Sequence, residues 1–233
     1  MVLSKTNQSI MKRSIIAIIA IQIGALGIFG QGNITNIGIV AGPSIFSLRG
    51  NYEMESENST MLSYSLGLSI EKYVSERISL RSDLLFESHN AQNSTSDASS
   101  PQTNGSLEFE SLTIPIHSHF YFGNKNRASI GLGIFSSFLL AANERSLEPD
   151  NPVLEVSTTN HYTIVNFGFS GSVGYKVPIS NKIDLKINLE DNFGIRDTYI
   201  GRTEFSDPNH TPDIDFNLKT NNIKLMFILT YLL

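Results

Sequence analysis

Residues 182–196 read KIDLKINLEDNFGIR. Ile183, Leu185, Ile187, Leu189, Phe193 and Ile195 share one parity, while Lys182, Asp184, Lys186, Asn188, Glu190, Asn192 and Arg196 share the other. A period of two puts the two sets on opposite faces of an extended strand, whereas helical spacing would mix them around an axis. One residue, Asp191, interrupts the apolar set.

Seven more segments alternate in the same way, with less contrast: residues 36–48, 61–73, 77–89, 107–122, 127–142, 160–177 and 220–233. Soluble strands usually run about 5–6 residues, and most of these run 13 or more. At about 3.3 Å per residue and a tilt of about 45°, ~13 residues rise about 30 Å, the thickness of a bilayer's hydrocarbon core.

The connections alternate too. Residues 49–60, 90–106, 143–159 and 197–219 are long and polar, and residues 74–76, 123–126 and 178–181 between them are short. Outer-membrane barrels have short periplasmic turns, longer extracellular loops and an even strand number. The expected fold is therefore all-β: an eight-stranded antiparallel up-and-down transmembrane β-barrel of a Gram-negative outer membrane, both termini periplasmic. Asp191 is expected near the headgroups or at a bulge. With the apolar parity outward, Tyr64, Phe86, Phe138 and Phe193 form one aromatic belt near the long loops, and Phe120, Phe122, Tyr175 and Tyr231 a second near the short turns. Amphipathic rings gather at both membrane interfaces.

Composition removes several classes. The net charge of -5 comes with no basic cluster that would release counterions from a nucleic acid. The absence of cysteine excludes disulfides, thiolate metal sites, cysteine nucleophiles and a lipidated leader. From Met11 the chain reads MKRSIIAIIAIQIGALGIFGQG, with Lys12 and Arg13 ahead of an apolar core from Ile15 to Phe29. That is the layout of a signal peptide, with cleavage after Ala25-Leu26-Gly27 or at Gly30-Gln31 and a start at Met1 or Met11. The domain reading is an N-terminal extension and leader over 1–30 and a barrel domain over 31–233.

Several stretches resemble the PorT-like outer-membrane β-barrel family. They are Gly38-Ile39-Val40-Ala41-Gly42-Pro43-Ser44, the hairpin YSLGLSIEKYVSERISLRSDLLF at 64–86, SLTIPIHSHFYF at 111–122, Gly131-Leu132-Gly133 and GFSGSVGY at 168–175. Thr113 stands where that family usually has a carboxylate before Ile-Pro, and the chain closes on Tyr231-Leu232-Leu233 without the usual terminal aromatic. The resemblance implies a fold and an outer-membrane location; it does not imply a catalytic site.

The inward parity carries Glu71, Arg81, Asp83, Glu87, Lys176, Asp184, Lys186, Glu190, Arg196 and Lys224. Both signs occur, so a paired ionic network is expected to fill the lumen, because eight strands leave an interior just wide enough for side chains. Glycines 67, 131, 133, 168 and 174 are expected to make room on that face or to allow curvature. His117 and His119 share a face and could bind a metal; with no third ligand at fixed spacing they read as satisfied lumen histidines. No catalytic residue, cofactor or metal is expected, and the partners expected are outer-membrane lipids and lipopolysaccharide around a monomer.

Three functions compete. A non-enzymatic, porin-like barrel would act as an envelope scaffold or surface-interaction protein through its loops, where Glu53, Glu55 and Glu57 offer acidic contacts. A lipid A hydrolase needs a serine within reach of a histidine; Ser88-His89 and His117-Ser118-His119 point adjacent residues to opposite faces, leaving only a cross-strand triad. A soluble lipocalin-like binder would need an apolar interior and a polar exterior, the reverse of residues 182–196.

Overall fold

The computed structural model describes residues 34–49, 58–59, 61–95, 103–147, 154–157, 159, 162–197 and 219–233. The leader expected over 1–30 and the glutamates at 53, 55 and 57 lie outside them. Among the described residues no helix is long and apolar enough to cross a membrane.

Eight long strands make the wall: β1 (Ile34–Arg49), β2 (Met61–Tyr73), β3 (Ile78–Thr95), β4 (Thr103–Phe122), β5 (Ala128–Leu147), β6 (Val165–Pro178), β7 (Ile183–Gly194) and β8 (Lys219–Leu232). Each pairs antiparallel with its sequence neighbour, and β8 pairs with β1 from Asn36↔Leu232 to Arg49↔Lys219. The sheet is closed, so no strand of the wall leaves a row of unpaired amides.

The register fixes the barrel's shape. A row followed from Glu71 through Arg81, His117, Gly133, Ser170, Asn192, Asn222 and Phe46 returns to β2 at Met61, a displacement of 71 − 61 = 10 residues. With eight strands about 4.7 Å apart and a rise of ~3.3 Å, that shear gives a tilt of about 42° and a backbone radius of about 8 Å. Each residue then climbs about 2.5 Å along the barrel axis, and each strand crossed along a row about 3 Å.

The short turns close by repeating one device. Val74 and Ser75 donate their amides to Ile78 O at 2.8 and 3.1 Å, and Ile179 and Ser180 donate theirs to Ile183 O at 2.9 and 3.0 Å. In each, the serine hydroxyl oxygen accepts an amide two residues on, from Arg77 at 3.4 Å and Lys182 at 3.3 Å. The third turn needs left-handed backbone at Gly123 (φ 80°) and Lys125 (φ 59°).

Several expected boundaries move. The connection expected over 90–106 is mostly ladder, since β3 and β4 stay paired from Asn90↔Glu108 to Thr95↔Thr103. β5 runs on to Leu147 and pairs with Leu154–Ser157, while Asn58–Ser59 pairs with β3 at Gln92 and Asn93. Ser, Asn and Thr made these stretches read as loop, but a two-sided polar hairpin can pair in water as well as a loop can sit there. At the other extreme, β6 begins at Val165 and not at residue 160. Asp191 is not at a bulge: its ladder to Gly171 and Ile223 is regular, and the register shift lies at Glu110/Ser111.

Outward alternation places Tyr64 and Phe193 at one height and Phe120, Phe122, Tyr175 and Tyr231 about 20 Å below, all six exposed. Phe86 is half-buried. Phe138 does not serve as an open belt residue: it lies between Leu112 and Val165 on the outward face yet is 1% exposed, as is Ile114 on β4. Alternation fixes the direction of a side chain and not its cover, and on the β3–β5 wall Leu84, Phe86 and Leu112 are half-buried as well.

Candidate functional site

The inward face is a column of charge that begins at the short turns. Glu71 on β2 accepts hydrogen bonds from Ser79 Oγ and Tyr121 OH, both at 2.6 Å, and pairs with Lys186 Nζ. The Tyr73 and Tyr121 rings lie 5.5 Å apart beside it. Lys176 stands over both rings at 5.6 and 5.3 Å, within cation–π range.

Above that cluster Arg81 joins two strands. Its Nε lies 3.1 Å from Asp83 Oδ2 and its Nη2 2.9 Å from Glu190 Oε2, and Ser69 donates to Asp83 at 2.5 Å. Lys224 of β8 reaches Glu190 at 3.3 Å and Glu87 at 3.0 Å. Glu87 also accepts from Ser65 at 3.2 Å and Thr113 at 2.5 Å. From Glu71 to Glu87 the column climbs about 18 Å, most of the distance between the belts.

These side chains must be paired, because an isolated charge out of water costs several kcal/mol even after relaxation. Glu71, Arg81, Asp83, Glu87, Lys186, Glu190 and Lys224 are all buried and all have partners. Three expected members stand apart. Arg196 is exposed and donates to Val165 O at 3.1 Å on the long-loop rim, since β7 ends at Gly194 and the alternation no longer aims it inward. Lys176 and Asp184 are only half-buried, at the short-turn rim.

The top of the column is apolar. Phe46, Phe109, Leu139, Ala142 and Tyr162 form one buried cluster, with Phe46 stacked on His89 at 4.4 Å and Phe109 edge-on to Tyr162 at 4.9 Å. A second inward cluster, Val40, Leu85, Met226 and Ile228, lines one side lower down. Sequence reading missed both, although a signal existed. Ile45-Phe46, Leu84-Leu85-Phe86, Phe138-Leu139-Leu140 and 225–229 are unbroken apolar runs, which mark strands buried on both faces.

Beneath the aromatic cap is a cavity of about 50 Å³ lined by Glu87, His89, Ser111, Asn166 and Asn222 among others. Ser111 Oγ, Asn166 Oδ1, Asn222 Oδ1 and His89 Nδ1 have no protein partner there, and the space fits about three or four waters. The larger apolar groove, about 670 Å³, is walled by outward residues including Ile37, Ile39, Leu68 and Leu229.

A cross-strand Ser–His pair does form. His117 Nε2 lies 2.7 Å from Ser170 Oγ. Both are buried in the middle of the lumen, and Ser170 donates its proton to Asn192 Oδ1 at 2.5 Å. A nucleophile must give its proton to its base and meet its substrate; this serine does neither.

A family model described as an outer membrane protein beta-barrel domain matches residues 21–227. The chain belongs to that family. It is an outer-membrane β-barrel protein. No curated protein matches its sequence. Among solved structures, OprG of Pseudomonas aeruginosa is 10% identical and aligns over 87% of this chain and 96% of its own, with a TM-score of 0.49. Neisserial surface protein A is 12% identical over 85% and 98%, with a TM-score of 0.43. The attachment invasion locus protein of Yersinia pestis is 8% identical over 84% and 98%, with a TM-score of 0.40.

Proposed function

We propose that this outer-membrane barrel is a non-enzymatic, non-conducting, monomeric surface-interaction protein that works through its long-loop end. Its termini and short turns face the periplasm, its belts contact lipid and lipopolysaccharide, and it sits in the PorT-like branch of its family. The observation that carries the reading is the ladder beyond the upper belt. β3, β4 and β5, flanked by Asn58–Ser59 and Leu154–Ser157, stay hydrogen-bonded to Thr95, Thr103 and Leu147, about 20 Å above that belt. A barrel that only spanned the membrane would not need an ordered sheet standing outside it, and ordered backbone is a low-entropy platform for recognition.

The chain's lack of cysteine makes the test direct. Ser99→Cys is expected to react with a membrane-impermeant maleimide on intact cells, and Ser180→Cys only after the outer membrane is permeabilised. Replacing residues 92–106 by a tight turn is expected to abolish any adhesion or aggregation that expression confers, with heat-modifiable migration unchanged. The opposite labelling pattern, or adhesion that survives the replacement, refutes the reading. Altered lipid A in the mass spectrum of expressing cells would favour a hydrolase instead.

A further inference from the structure

Two histidines on β4 are not satisfied as buried imidazoles should be. His117 and His119 project inward one rung apart, 0% and 2% exposed, with ring centroids 5.5 Å apart. A neutral imidazole carries one donor and one lone pair, and an orphaned buried polar atom calls for an explanation such as a bound water or ion. Of the four ring nitrogens only His117 Nε2 has a hydrogen-bond partner. Because Ser170 gives its single proton to Asn192, its oxygen must accept from His117 Nε2. That fixes the tautomer and leaves His117 Nδ1 a bare lone pair. Metal-ligating histidines are characteristically held this way, through an N–H bond made by the other nitrogen.

Carboxylates from two further strands stand beside the His117 ring. One ligand atom each from Asp83 on β3, His117 on β4 and Glu190 on β7 lie within 4.8 Å of one another, all buried. We infer that Asp83, His117 and Glu190 form a lumenal site for a divalent cation of the zinc class, with His119 the nearest further nitrogen donor. Zinc bonds of about 2.0–2.2 Å set tetrahedral ligands about 3.4 Å apart, so with all three atoms within 4.8 Å no pair has to close by more than about 1.4 Å, a matter of carboxylate rotation. Mixed nitrogen and carboxylate donors suit zinc, whereas calcium and magnesium take oxygen sets.

Charge favours an added cation. The seven buried charges comprise four carboxylates (Glu71, Asp83, Glu87, Glu190) and three bases (Arg81, Lys186, Lys224), one negative charge in excess. Arg81 already touches both carboxylates of the site. The cation must therefore share them with a guanidinium, and the imidazole becomes the deciding donor. With ligands on β3 and β4 and on β7 across the lumen, the ion acts as a staple between opposite walls, loaded as the barrel closes.

The test uses the full chain refolded in detergent with zinc or cobalt(II), desalted, and assayed for bound metal and for cobalt d–d absorption. The expected result is about one equivalent per barrel and tetrahedral cobalt bands, both lost in His117→Gln with heat-modifiable migration intact. Metal bound equally by wild type and His117→Gln places it elsewhere and overturns the inference. So does a wild-type barrel refolded in excess metal that retains none. If His117→Gln fails to refold, His119→Gln and the wild-type cobalt spectrum decide; weakened metal retention and tetrahedral bands with nitrogen ligation support the site, and octahedral bands overturn it.

Discussion

Lys224→Met is the substitution on which the lumen's energetics turn. Lys224 is 0% exposed and is shared by Glu87 at 3.0 Å and Glu190 at 3.3 Å. Methionine keeps the stem and removes the charge, leaving three carboxylates of the upper lumen against the single guanidinium of Arg81. Removing one partner of a buried pair costs about 3–5 kcal/mol, because the other is left charged and unpaired. At a urea dependence of about 2 kcal/mol per molar, the unfolding midpoint drops by about 1.5–2.5 M. The chain has no tryptophan, so the folded fraction is best read from heat-modifiable gel migration across a urea series in micelles. Adding Glu87→Gln removes one stranded charge and is expected to recover about 1–3 kcal/mol as non-additivity. A loss below about 1 kcal/mol for Lys224→Met, the value of a solvent-exposed bridge, would mean that water screens the lumen and that the buried column does not hold the wall.

Two further outcomes follow from packing. A Cβ at Gly131 meets Ser172 Oγ and the His119 ring, whereas one at Gly171 meets nothing within 4 Å; Gly131→Ala is expected to lose about 1–3 kcal/mol and Gly171→Ala none in the same urea series. Phe46→Ala removes the ring stacked on His89 and is expected to cost up to about 3–5 kcal/mol, yet planar-bilayer recordings should stay as free of steady conductance as wild type. Steady current in the variant would show that the aromatic cap, and not the ionic column below it, is the seal.

The wall was legible because it obeys one rule at a time. A period of two in residues 182–196 and an alternation of long and short connections were enough for eight strands, since both are imposed by the bilayer and the lumen together. The lumen was only half legible. Parity identified the inward charges, but pairing partners lie across strands, as Arg81 with Glu190 and Lys224 with Glu87, and depend on the shear, which no local spacing records. Thr113, which departs from the carboxylate expected there by resemblance, takes its place by donating to Glu87 on the neighbouring strand. The aromatic cap escaped because Phe46 and Phe109 are buried together inside a lumen that was expected to be filled by paired charges. Asn166 and Thr163 near it likewise gain their surroundings only after the chain has closed.

Closure at a shear of ten also settles how the inside can be built. A backbone radius of about 8 Å leaves, after side chains, no water column, so every inward residue must be a packing residue. Export through an aqueous compartment argues for polar ones, and a dry lumen demands that each charge meet its opposite. Arg81 bridging Asp83 and Glu190, Lys224 bridging Glu87 and Glu190, and Lys186 on Glu71 meet both conditions. Where the column stops, Phe46, Phe109 and Tyr162 take over as cap. A wall committed to lipid and an interior committed to itself leave the proposed surface interaction to the backbone that climbs past the cap. The paired residues of β3, β4 and β5 beyond the upper belt are therefore where loss of function and loss of fold should come apart.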